Sequence, residues 1–215
     1  MPNFRYEKPQ SGRFREFHQF GLEVFGASEA SIDAELISIA WDLTQNLGIQ
    51  GLSLAINSIG CPQCRAAYHQ TLRTYLAGRL DTLCGNCKER YARNPLRVLD
   101  CKECTEQVSD APSILDSLCD DCRAHFEALQ ANLAALDIPF TVNPRIVRGL
   151  DYYTKTVFEI IAQVPGGQLT VCGGGRYNGP VSYTHLDVYK RQIYRKPTRR
   201  FRRAYPTTIG MTPAR

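Results

Sequence analysis

Thr156-Val157-Phe158-Glu159-Ile160-Ile161 is followed by Pro165-Gly166-Gly167, Gln168-Leu169-Thr170-Val171-Cys172 and then Gly173-Gly174-Gly175-Arg176-Tyr177-Asn178. β-branched and aromatic residues fill both runs, and the Pro-Gly-Gly between them is turn chemistry. The stretch predicts an antiparallel hairpin whose second strand ends in three glycines. A strand without side chains lets something else approach its backbone closely. A glycine triplet alone is weak evidence, since most such triplets are turns.

Working outward, strand character also occupies residues 4–26, where apolar and aromatic residues flank a loop containing Pro9 and Gly12. The pattern predicts two strands of a long hairpin. Leu36, Ile37, Ala40, Trp41, Leu43 and Leu47 recur at helical spacing, with Ser31 or Asp33 as a cap and Gly48 as a stop. Residues 51–58 alternate as a strand. Helical patterns return over 65–80 and 119–136, the latter with Phe126, Leu129, Leu133 and Leu136 on one side. The expected fold is α+β, an antiparallel sheet flanked by helices with an inserted, mostly helical, cysteine-rich subdomain. The expected boundaries are core 1–60, insert 61–143, core 144–179 and a tail 180–215.

Eight of the nine cysteines fall in Cys-x-x-Cys pairs: Cys61/Cys64, Cys84/Cys87, Cys101/Cys104 and Cys119/Cys122. Each pair can place two thiolates on one tetrahedral metal, so the spacing is a zinc signature, with paired free thiols as the alternative. Spacing leaves open which pair joins which. Cys172 reads as a small packed residue. His69, His125 and His185 belong to no recognisable constellation, and His18 reads as structural or loop-positioning.

The net charge of +5 hides an asymmetry. Residues 180–215 hold nine Lys/Arg and one acid, and the rest holds 17 Lys/Arg and 20 acids. A basic arm gripping nucleic-acid phosphates is one reading of that tail. No window resembles a membrane span or signal peptide, so the expectation is a cytoplasmic protein without membrane contact.

Two separated segments carry a family resemblance. Phe4-Arg5-Tyr6-Glu7-Lys8-Pro9-Gln10 runs through Arg13, Arg15 and Phe17-His18-Gln19-Phe20-Gly21 to Glu23. Arg148-Gly149-Leu150-Asp151-Tyr152-Tyr153 precedes the glycine-rich strand. Together they resemble the catalytic domain of histidyl-tRNA synthetases, a class II aminoacyl-tRNA synthetase family. The resemblance implies ATP, with Mg²⁺, as co-substrate, histidine and tRNA(His) as substrates, and a homodimeric enzyme. It implies that Arg5 grips the α-phosphate and the histidine carboxylate, that Glu7 meets adenine, and that Arg13 reaches the outer phosphates. Arg148 would sit on the α-phosphate, where other class II enzymes place a metal ion. Gln19, Glu23, Tyr152, Tyr153, Gly173 and Gly174, with Arg148, would hold histidine. Asn178 stands where the family has Asp.

The family's first and third motifs find no counterpart, so the resemblance implies a fragment that does not turn over by itself. Pro180–Gln192 resembles a translated adaptor string, which predicts no native structure from about residue 180. Two other readings stay open. One is the non-catalytic, synthetase-like regulatory subunit of ATP phosphoribosyltransferase, against which the retained motif residues argue. The other is a zinc-binding nucleic-acid module, which leaves the flanking motifs unexplained.

Overall fold

The computed structural model describes residues 2–6, 14–99, 101, 103–146, 153–164, 167–178 and 207–212. A six-stranded sheet forms its centre, in the order β3-β8-β7-β6-β4-β5. The long members are β4 (Leu52–Ser58), β6 (Thr156–Val164) and β7 (Gly167–Asn178), all antiparallel neighbours. The hairpin expected from the turn at Pro165–Gly167 is therefore present, with a register irregularity at Ile160/Ile161. At the edges, β5 (Phe140–Val142) runs parallel to β4, and β3 (Glu23–Val24) pairs with β8 (Thr207–Thr212).

Two helices cover one face. In α1 (Ala30–Asn46), Leu36, Ile37, Ala40 and Trp41 are buried. In α4 (Asp120–Ala135), Phe126, Leu129 and Leu133 are buried. They close over Leu54, Ile56, Phe158, Ile160 and Cys172, so Cys172 is a packed core residue, as expected. Alternation along each strand sends these residues to the helix side and their neighbours to the other. The expected stripes are shorter in fact. Leu43, Leu47 and Leu136 lie partly in solvent.

Neither Ser31 nor Asp33 caps α1. Glu29 is the N-cap residue, and Asp33 turns inward and is fully buried. His125, expected to stand alone, joins it: Nε2 lies 2.8 Å from Asp33 Oδ2. Thr156 Oγ1 donates to the same oxygen at 2.6 Å, and Arg176 Nε donates to Oδ1 at 2.9 Å, with Arg176 Nη2 also bound to Asp33. Arg176 further donates to the Ala27 and Glu29 carbonyls. Four elements thus meet at one carboxylate. Burial alone would raise the Asp33 pKa. The bonds from His125, Arg176 and Thr156 outweigh it and hold the carboxyl below its ordinary value.

The insert occupies less chain than expected. α2 (Pro62–Ala77) and α3 (Gly85–Arg93) build a separate core with Tyr68, Leu72, Leu76, Val98 and Val108. α4 and β5, expected inside the insert, instead pack on the main core and sheet. The helical pattern of α4 was legible, but not which core it served. Thr207–Thr212, expected to lack native structure, forms β8 against Gly173–Asn178. Thr-Thr-Ile is a strand-forming run, and pairing there shields an otherwise open edge. β1 (Pro2–Phe4) and β2 (Glu16–His18) form a hairpin as a separate two-stranded sheet, shorter than expected, because Glu23–Val24 pairs in the main sheet instead.

Candidate functional site

The helix-free face of the sheet carries the site. Residues directly opposite on paired strands share a face. Glu23 pairs with Gly210, Gly210 with Gly175, and Gly175 with Val157. This row places Glu23 two strands from Gly175, roughly 10 Å away at ordinary strand spacing. Gly173 and Tyr177 project to the same side as Gly175 by alternation. The Tyr177 hydroxyl donates to Glu23 Oε1 at 3.4 Å. Tyr153 is buried, and its ring lies 6.2 Å from that of Tyr177. Ala55, Ile146 and Val157 back the two rings.

The glycines form a floor with no side chains on it. A Cβ at Gly175 would stand 2.9 Å from the Thr156 carbonyl oxygen, 2.9 Å from Tyr153 Cδ1 and 3.0 Å from Val157 Cγ1. The Tyr153 ring therefore lies directly over Gly175. Gly173 faces the site side. Gly174 faces the helices, so its part in a ligand site runs through its backbone.

Of the residues named from sequence, the structure brings Glu23, Gly173 and Gly174 onto this one sheet and packs Tyr153 against it. Arg5 and Gln19 lie just after the two strands of the small β1–β2 sheet. Arg5 Nε donates to the Phe14 carbonyl at 2.8 Å, and its guanidinium carbon lies 4.6 Å from the Phe17 ring centroid. Gln19 is exposed. Glu7, Arg13, Arg148 and Tyr152 lie outside the described residues. Gly175 was read from sequence only as part of the close-approach glycine run, and Tyr177 was given no role. The two-residue alternation from Gly173 puts both on this face.

The cysteines divide into two groups. Cys61, Cys64, Cys119 and Cys122 form one, and Cys84, Cys87, Cys101 and Cys104 the other, with all four sulfurs of each group within 4.8 Å of one another.

The family model for histidyl-tRNA synthetase matches residues 2–184. The chain belongs to the histidyl-tRNA synthetase family. The histidine–tRNA ligase of Caldanaerobacter subterraneus subsp. tengcongensis is 59% identical over 180 residues, 83% of this chain and 43% of that protein. That of Desulfitobacterium hafniense is 52% identical over 182 residues, 84% of this chain and 43% of that protein. The chain thus spans less than half the length of these family members. Among solved structures, apo Staphylococcus aureus histidyl-tRNA synthetase aligns with a TM-score of 0.67 and 34% identity, over 98% of this chain and 46% of that one. A Bacillus halodurans protein described as an ATP phosphoribosyltransferase regulatory subunit/histidyl-tRNA synthetase shares the fold, with a TM-score of 0.57 at 19% identity, over 98% of this chain and 54% of that one.

Proposed function

We propose that this chain is part of a histidine–tRNA ligase, which activates histidine with ATP and transfers it to tRNA(His). The observation that carries the reading is the face on which Glu23, Tyr177 and Tyr153 converge over a glycine floor. A neutral imidazole has one N–H donor and one ring-nitrogen acceptor. Glu23 accepts from the N–H, and the Tyr153 hydroxyl serves the other nitrogen. Tyr177 orients the Glu23 carboxylate. A site making both bonds rejects amino acids that would leave its polar groups unpaired.

Activation joins a carboxylate to the α-phosphate and expels pyrophosphate. The attacking carboxylate is already ionised at neutral pH, so no general base is required. Arg5 and Arg148 then act by charge and position, pairing with carboxylate and phosphate oxygens. Glu7 and Arg13 hold adenine and the outer phosphates, Gln19 and Tyr152 complete the histidine pocket, and Mg²⁺ accompanies ATP. The cysteine clusters lie outside this chemistry, and the zinc assigned to them is structural. A homodimer working in the cytoplasm belongs to the same proposal. Among the described residues, no helix is long and apolar enough to cross a membrane.

The regulatory-subunit reading rests on shared fold alone. The test is a chimaera in which residues 2–178 replace the matching part of the Caldanaerobacter ligase. Histidine-dependent pyrophosphate exchange is expected, and Arg148→Ala in that background should abolish exchange while histidine still binds. A folded chimaera without exchange, or near-normal exchange in Arg148→Ala, refutes the assignment.

A further inference from the structure

We infer that the insert holds two structural Zn²⁺ ions in a nested arrangement. Cys61, Cys64, Cys119 and Cys122 bind one at the root of the insert. Cys84, Cys87, Cys101 and Cys104 bind the other within its distal core.

Sulfur spacing separates metal ligation from disulfide bonding. Four sulfurs at the usual zinc–sulfur distance of about 2.3 Å form a tetrahedron with edges of about 3.8 Å. The Cys61–Cys64 and Cys84–Cys101 sulfurs lie 3.5 and 3.8 Å apart. A disulfide would need about 2.05 Å, and all eight of these cysteines are free.

The backbone is arranged for thiolates as well. Cys61, Cys84 and Cys119 are the N-cap residues of α2, α3 and α4, so Cys64, Cys87 and Cys122 fall in the first turns. Helix N-termini present free N–H groups and partial positive charge, which favour the ionised sulfur. The Cys119 N–H donates to Cys64 Sγ at 3.2 Å, and the Cys84 N–H donates to Cys104 Sγ at 3.3 Å. Each bond joins one Cys-x-x-Cys pair to the other pair of its own group. Cys87 and Cys122 are fully buried.

The two sites do different work. The root site ties the start of α2, where the chain leaves the main sheet, to the start of α4, where it returns. Gly60 makes the approach feasible: its φ is +63°, and a Cβ there would stand 2.5 Å from Cys64 Cβ. The Gly60 carbonyl accepts from the Lys155 N–H at 2.9 Å, two residues from Tyr153. Lys155 Nζ also pairs with Asp121 in the first turn of α4 at 2.8 Å. The root site therefore fixes the junction from which β6 and the tyrosine side of the ligand face begin. The distal site sits among Leu83, Val98, Leu99 and Val108, a core too small to order its loops unaided.

Elemental analysis of protein purified with reductant and without chelator should give two equivalents of zinc per chain. X-ray absorption should show four sulfur ligands at about 2.3 Å. Cys64→Ser/Cys122→Ser and Cys87→Ser/Cys101→Ser should each lose one equivalent. Cys64→Ser/Cys87→Ser should lose both. Zinc below two equivalents, iron in its place, or oxygen and nitrogen ligation in the unsubstituted protein overturns the proposal. So does a Cys64→Ser/Cys87→Ser protein that keeps one zinc, because the first two pairs would then share a site, or a Cys64→Ser/Cys122→Ser protein that loses both, because the pairs would then be interleaved.

Discussion

Replacing Asp33 with alanine tests the polar centre that joins α1, α4, β6 and β7. Asp33 and Arg176 are both fully buried. Among the described residues, Asp33→Ala leaves the Arg176 guanidinium with the Ala27 and Glu29 carbonyls, and strips the acceptor from His125 and Thr156. Removing one partner of a buried ion pair costs about 3–5 kcal/mol. The orphaned His125 and Thr156 donors would each cost about 1–3 kcal/mol by themselves, but groups sharing one acceptor do not add. A loss of about 4 kcal/mol is therefore expected, much of a stability that is typically about 5–15 kcal/mol. The assay is urea unfolding followed by tryptophan fluorescence, since Trp41 lies in the adjoining core. Asp33→Leu with Arg176→Met should be less damaging than Asp33→Ala, because no charge is stranded. A loss under about 1 kcal/mol for Asp33→Ala, or a double variant worse than the single, would refute the reasoning.

Acid should act on the same group. The Asp33 pKa is lowered on folding, so the unfolded chain binds the extra proton first. Its contribution is complete above the unfolded value near pH 4 and is lost as pH falls through the folded value. Urea midpoints should fall more steeply below about pH 4 in the parent than in Asp33→Asn. Gly175→Ala should push β7 off β6, because the Thr156 carbonyl cannot yield. A cost of about 1–3 kcal/mol by urea unfolding is expected, with weaker histidine binding by calorimetry; parent-like affinity would remove Gly175 from the site. Gly60→Ala combines a left-handed backbone with a clash at Cys64, so it should release zinc from the root cluster alone, and retention of both equivalents would contradict the root-site assignment.

Much of the fold was legible because its signals are local. The Pro165–Gly167 turn between two β-rich runs declared the β6–β7 hairpin, and the helical spacing from Leu36 to Trp41 declared α1. Long-range partnerships carried no such signal. Nothing about Asp33 as a helix-start acid betrays that it meets Arg176 some 143 positions later. Nothing in the α4 pattern says that Phe126 and Leu129 serve the main core rather than the insert. The same limit applies to the cysteines, whose spacing announced metal ligands while the pairing needed three dimensions. On the proposed ligand face, Glu23, Tyr153 and the glycines were reached through motif resemblance. Alternation from Gly173 gives the face on which Tyr177 lies, but not that its hydroxyl meets Glu23.

The central claim is that this face binds histidine through Glu23. Calorimetric titration of L-histidine into the chimaera carrying residues 2–178, beside its Glu23→Gln variant, tests it most directly. Losing a hydrogen bond to a charged acceptor costs about 1.5–3 kcal/mol, so affinity should fall about 10- to 150-fold, with the folded state unchanged at this exposed position. Equal affinity in the two proteins would contradict the account.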